Sequence, residues 1–259
     1  MELRKITRDI IQQVEEISGF PVQVTQDGKL QNIATVRIAR GNNPFHFVIY
    51  KPNAGEPPDY AICHQSCFII RKFSVPQSDR FDIASSEAGT IQVEKLLNTP
   101  TGVAFRYGLK KESVQQLRDQ LLQGLIVHLL SVPTGLRVSA WLEENYPELS
   151  DLQRKHVDKE LAIGKVNFED NIKGLFPPQI YKATMSISAA YALYWSQKYN
   201  DPKIFAPYRF DYRKSADELL SVQQAISSDP AHDRELVDAW GEILGLTSWY
   251  RWVPYQLPA

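Results

Sequence analysis

The sequence predicts an α+β fold: an N-terminal helix and a small antiparallel sheet with one further helix, followed by a mainly α-helical C-terminal part. Three patterns predict it. Apolar residues first recur at helical spacing, switch to a period of two between about Val22 and Tyr50, and return to helical spacing for almost everything after residue 112.

Ile6, Ile10, Ile11, Val14 and Ile17 form one stripe of a helix over residues 4–18, and Gly19 is its stop signal. Val22 and Val24 then alternate with Gln23 and Thr25. Asp27-Gly28 offers the positive φ angles of a tight hairpin, and Ala34, Val36 and Ile38 alternate with Thr35 and Arg37. Phe45-His46-Phe47-Val48-Ile49-Tyr50 is a third β-prone run, so the simplest arrangement is a three-stranded meander.

A Pro- and Gly-containing linker, residues 51–58, leads to Asp59 as N-cap of a helix reaching about Phe73. Ile62, Ser66, Ile69 and Phe73 share one stripe of it, and Arg71 and Lys72 suit the negative end of its dipole. Periodicity is weak over residues 76–111, with a short helix at 91–97 and a strand at 103–107 as the readings. A long helix then ends before Pro133, and a shorter one follows at 136–146. Further helices fit residues 150–163, 178–199, 214–226 and 230–244. In the last, Asp229 as N-cap, Pro230 at the first helical position and Gly245 just past the end agree with one another. The expected division is an α+β region over residues 1–111 and a helical region over 112–259, packable as one continuous domain.

Composition narrows the function classes. The chain has 259 residues, 43% of them apolar, enough for a substantial core. Its 29 Lys plus Arg against 30 Asp plus Glu give no global field for nucleic acid or an anionic bilayer; neither partner is expected, and a nucleic-acid role would need a local patch. The N-terminus runs straight into an amphipathic helix with no apolar leader, and the apolar run at 181–195 is broken by Lys182 and Thr184. With two cysteines only, Cys63 and Cys67, a disulfide framework is excluded, and a cytoplasmic protein is the expectation. Phosphate-cradling glycine loops and the Gly-x-Ser-x-Gly elbow are absent.

The candidate chemistry lies in Asp59-Tyr60-Ala61-Ile62-Cys63-His64-Gln65-Ser66-Cys67-Phe68-Ile69-Ile70-Arg71, preceded by the strand Phe45 to Tyr50. Together these resemble the strand and active helix of the ImmA/IrrE-type zincin metallopeptidases, over roughly residues 1–75 and up to 145. In that family the helix carries His-Glu-x-x-His: histidines at i and i+4 reach one zinc, and the glutamate takes the proton of the metal-bound water. Here His64 matches the first ligand, Gln65 stands where the base belongs and Phe68 where the second ligand belongs. Glutamine is no base near neutral pH, and phenylalanine cannot ligate. The resemblance also implies a third, acidic ligand from a later helix, for which Glu143 and Glu144 are both available. It therefore implies an inactive relative, with no cofactor and no bound metal, His64 being the one candidate ligand.

Two other readings stay open. Cys63 and Cys67, four apart and flanking His64, suit a noncanonical zinc- or cysteine-dependent hydrolase, although buried cysteines commonly serve as small apolar groups. Among the remaining histidines, His128 reads as a core or interface residue, and His156 and His232 as solvated. The second reading is a helical scaffold or oligomerisation module over residues 112–259. For the inactive zincin, the expected role is recognition of a protein or peptide partner in regulation or phage defence. Phe45, Phe47 and Ile49 would either form a sheet edge to which an extended peptide adds, with Arg71 nearby, or belong to an internal strand. The aromatic tail Trp249-Tyr250-Arg251-Trp252, with Tyr255 beyond, is either an interface anchor or packs back on its own helices.

Overall fold

The structure is a computed structural model and describes residues 3–52, 58–100, 102–208 and 210–258, so residues 53–57 of the expected linker lie outside it. The elements are α1 (Lys5–Ser18), β1 (Val22–Gln26), β2 (Ala34–Arg37), β3 (His46–Tyr50), α2 (Asp59–Phe73), β4 (Phe81–Ser85), α3 (Glu87–Leu97) and α4 (Val103–Arg106). Then follow α5 (Lys111–Asn145), α6 (Ser150–Gly164), α7 (Asp170–Lys173), α8 (Pro178–Lys198), α9 (Pro202–Phe205), α10 (Arg213–Ala225), α11 (Asp233–Ile243) and β5 (Tyr250–Pro254). This is an α+β protein. The chain divides into two compact units, neither of them one continuous stretch: residues 1–81, 134–160 and 254–259 in the first, and 82–133 and 161–253 in the second. The boundary expected at 111/112 falls inside the second unit.

In the first unit α1 lies on α2, and α2 lies on the three-stranded sheet. The sheet is mixed, with order β1-β3-β2: β1 pairs parallel with β3, and β2 pairs antiparallel with it. The expected meander is therefore corrected. Its hairpin fails because the Asp27 N–H continues the β1–β3 pairing by donating to the Tyr50 carbonyl at 3.0 Å. Asp27 then makes an Asx turn, its carboxylate accepting from Lys29 N at 2.8 Å, and Gly28 is not among the glycines at positive φ. β2 is thus delivered to the far side of β3.

One sheet face, formed by Val22, Val24, Ala34, Val36, Val48 and Tyr50, packs with Ala61 and Ile62 of α2. On the other side of α2, Cys63, Cys67, Ile70 and Phe73 join Ile10 and Val14 of α1, Val138 and Leu142 of α5, and Tyr255 in a second cluster. Tyr255 is held by a hydrogen bond from its N–H to the Arg80 carbonyl at 2.9 Å and another from its hydroxyl to the Ala39 carbonyl.

In the second unit β4 pairs with β5, a sheet the sequence reading missed. The Ser86 side chain caps α3 by accepting from Gly89 N, and a Cβ on Gly89 would lie 2.4 Å from the Trp249 carbonyl oxygen, so this close approach requires glycine. The aromatic tail packs back: Trp249 and Tyr250 are buried, and both Tyr250 Oη and Trp252 Nε1 donate to Asp238. Residues 103–106 form a helical turn rather than a strand. Pro133, expected to separate two helices, lies inside the continuous α5, where its carbonyl accepts from Gln223 Nε2 at 3.1 Å. α5 is long and apolar enough to cross a bilayer by length and composition, yet 61% of that apolar window is buried inside the protein.

Candidate functional site

α2 begins at Asp59, which does not cap its own helix. Its buried carboxylate accepts instead from Arg4 N at 2.8 Å and from the Thr7 hydroxyl, fastening the start of α1 to the start of α2. One turn on, Cys63 Sγ lies 3.7 Å from Thr7 Oγ1. These contacts fix the rotation of α2. The Cys63/Cys67 stripe therefore faces the α1–α5 core, and His64 points toward α5 and α6.

His64 is half-buried, lined by rings and by one backbone carbonyl. Its Nε2 lies 3.3 Å from the carbonyl oxygen of Gly135 on α5, so the tautomer that satisfies this contact carries its proton on Nε2 and donates it. That leaves Nδ1 a bare acceptor, buried and without a hydrogen-bond partner. The Phe68 ring stands edge-on to the imidazole at 5.4 Å, Tyr60 lies 5.8 Å away, and His156 of α6 lies 6.1 Å away, centroid to centroid. His156 is itself buried, 5.1 Å from the Tyr60 ring and with Nε2 3.3 Å from Glu160 Oε1. A polar chain closes the cluster: Tyr60 Oη donates to Ser139 Oγ at 3.1 Å, and Gln153 Nε2 donates to Tyr60 Oη at 3.2 Å and to the Ser139 carbonyl at 3.0 Å. Burial lowers the His64 pKa to about 4; neighbouring His156 pushes the same way, while Glu160 and the Gly135 carbonyl oppose it. His64 is a neutral imidazole at physiological pH.

The cysteines behave as core residues. Both are free and buried; burial pushes the Cys63 thiol up to about 12 and the Cys67 thiol well above its ordinary value. They are protonated thiols at neutral pH, whereas nucleophilic attack needs the thiolate. The donor set around His64 does not fit a zinc ion. One ring nitrogen faces Gly135, the i+4 position is the Phe68 ring, and among the described residues no group of three or more His, Cys, Asp or Glu side chains is placed to hold a metal.

No known protein-family model matches this chain, and neither a curated protein nor a solved structure matches it.

The residues expected at the site are only partly brought together. Glu143 and Glu144 lie on α5, but the α5 residue facing His64 is Gly135, eight residues earlier and roughly 12 Å away along the helix. His156, expected to be solvated, is instead a buried neighbour of His64. Its signal was present in the sequence as Leu152, His156 and Glu160 at four-residue spacing, masked by Arg154, Lys155, Asp158 and Lys159. His232 is exposed and paired with Glu235. Arg71 is half-buried in the last turn of α2.

The expected sheet edge is also corrected. β3 is the central strand, hydrogen-bonded on both sides, so it cannot accept a further strand. Phe45 precedes it, and Phe47 and Ile49 lie half-buried on the face turned away from α2. Among the described residues the free edges belong to β1 and β2. Along β2, the bond from Lys51 N to the Ile33 carbonyl at 2.9 Å sets the alternation, in which Thr35 and Arg37 bond to β3. The backbone N–H and C=O of Ala34 and Val36 consequently point outward.

Gly135 offers a direct check on this geometry. A Cβ there would lie 3.5 Å from His64 Cε1 and 3.5 Å from Phe68 Cζ, ordinary van der Waals separations. Replacing a helix-interior glycine by alanine removes backbone freedom from the unfolded chain, so Gly135→Ala is expected to stabilise the protein by about 1 kcal/mol, read as a raised denaturant midpoint. Gly135→Leu should lower it, because the added atoms enter the His64 and Phe68 rings.

Proposed function

We propose that this protein is a catalytically inactive, zincin-like module that binds an extended protein or peptide segment along the outer edge of β2. The observation that carries the loss of catalysis is the closure of the His64 position. Gly135 takes up one ring nitrogen, Phe68 fills the place of a second ligand, and Gln65 stands where a base would be needed. The protonated state of Cys63 and Cys67 argues against a cysteine nucleophile, and no group of three or more His, Cys, Asp or Glu among the described residues is placed to hold a metal. Binding is supported by the outward backbone groups of Ala34 and Val36, which offer the donors and acceptors that strand addition requires.

Two measurements test the two halves. Elemental analysis of protein purified without chelator is expected to find well under one zinc per chain; one tightly held zinc, lost on His64→Ala, would overturn the inactive reading. For binding, peptides selected from a random library displayed on phage should lose affinity for Val36→Pro, which removes one outward N–H while leaving the β3-facing bonds intact. Val36→Ala serves as the control for lost packing. Selected peptides that bind Val36→Pro as well as they bind Val36→Ala would sink the edge as the docking site.

A further inference from the structure

We propose that the second unit carries a face that docks on an anionic lipid bilayer. Large apolar side chains left exposed among the described residues concentrate there: Phe105 is 71% exposed, Tyr107 58% and Phe210 92%, and Ile163, Val166 and Leu175 are exposed with them. Scattered singly, such residues need no explanation; gathered together, they mark an interaction surface.

The chain gathers them. Arg106 donates to the Gly174 carbonyl, which brings the Phe105–Tyr107 turn against the residue before Leu175. The Phe168 and Tyr208 rings meet at 4.8 Å, and these residues lie two positions from Val166 and Phe210 respectively. The turn is tied down at its base. Val103 and Ala104 are buried at its base, Leu109 N donates to the Ala104 carbonyl at 3.0 Å, and Gly108 sits at φ +57° to complete the reversal. Phe105 and Tyr107 are thereby held out in solvent before any partner arrives, which reduces the ordering cost of binding.

Charge selects the occupant. The stretches 105–111, 163–175 and 208–211 hold six Lys or Arg against three Asp or Glu, in a chain whose net charge is −1. Arg106, Lys110, Lys165 and Lys173 are exposed among the apolar tips, with Glu169 and Asp211 the exposed carboxylates among the described residues of the same stretches. Apolar side chains ringed by long cationic ones fit a bilayer interface: the apolar groups enter the acyl boundary while the lysines and arginines reach anionic headgroups. A single-stranded nucleic acid fits less well, since Ile163, Val166 and Leu175 have no ring face on which a base can stack. A balanced overall charge leaves room for such a local surface.

Cosedimentation of the full chain with vesicles tests the proposal. Binding to vesicles of equal parts phosphatidylcholine and phosphatidylglycerol should exceed binding to pure phosphatidylcholine and weaken with added salt. The double variant Phe105→Ser/Tyr107→Ser should lose at least tenfold in vesicle affinity, with an unchanged melting midpoint because both rings are exposed. Lys110→Glu/Lys111→Glu provides a second variant that does not depend on the rings and should lose affinity for the anionic vesicles. Equal binding to both vesicle types, no binding to either, or full binding by both variants would overturn the proposal. So would self-association abolished by Phe105→Ser/Tyr107→Ser without vesicle binding, which would assign the face to a second copy of the chain.

Discussion

Acidification from neutrality to about pH 4 is expected to cost the first unit about 3 kcal/mol for each of His46 and His64. Burial holds both pKa values down at about 4, against 6.5 for an ordinary histidine. The unfolded chain therefore takes up these protons first. The contribution is fully present above pH 6.5, falls as the pH drops through the window, and is gone below about 4. The geometry supplies the reason. His46 lies in β3 with no exposed surface; its Nδ1 accepts from Ala39 N at 3.0 Å and its Nε2 faces Ser18 Oγ at 3.0 Å, so a second proton at Nδ1 breaks the bond from Ala39. His64 has no acceptor at Nδ1, and His156 is close enough to repel the new charge. Denaturant melts at a series of pH values should give a slope that flattens by about one proton in His64→Leu and likewise in His46→Gln. A slope unchanged by both replacements would show that neither histidine is held neutral by the fold.

Ile62→Ala should be the most damaging single truncation in α2, costing about 2–5 kcal/mol in unfolding free energy. Ile62 has no exposed surface and packs with Val48 and Tyr50 of β3 and with Ala34 of β2, so its methyl groups are the main filling between helix and sheet. The backbone on both sides is fixed, by strand pairing below and by the Asp59 contacts to Arg4 and Thr7 at the helix start, so the gap cannot close by collapse. The denaturant midpoint reads the cost. A loss under about 1 kcal/mol would mean that α2 shifts on the sheet and that the rotation presenting His64 is not rigid.

The extent to which these features could be read from the sequence follows from the range of the interactions behind them. Local signals carried α1 to Gly19, α2 to Phe73 and the last helix. There the Asp229 side chain accepts from Ala231 N, a short 3-10 turn runs Pro230–His232 into α11, and Gly245 sits at φ +67°. Signals that depend on distant partners were lost. Which neighbour β3 takes is decided by the Asp27 N–H to Tyr50 carbonyl bond, and β4 finds β5 more than 160 residues away, where the composition showed only an aromatic tail. Pro133 was read as a helix break because its effect on its own helix is local, whereas the Gln223 side chain that satisfies its carbonyl is 90 residues distant. At the site, the amide of Gln65 and the ring of Phe68 beside His64 were legible directly from the sequence. Gly135 and His156 were not, since nothing in a helix pattern says which residues of α5 and α6 will face His64.

The contact of the Tyr255 hydroxyl with the Ala39 carbonyl joins residues 216 positions apart, and the first unit as a whole is assembled from three separated stretches of chain. Synthesis therefore delivers the parts of that unit out of order. The strands and α2 leave the ribosome long before the α5–α6 segment that closes over His64, and Tyr255 comes later still. Until then the apolar face of α2 has only α1 and the sheet against it, a half-built state that invites chaperone attention and slow maturation. For the same reason, a fragment cut near residue 111 would be no domain at all: it would lack Val138, Leu142 and Tyr255 from the core around Cys63 and Cys67.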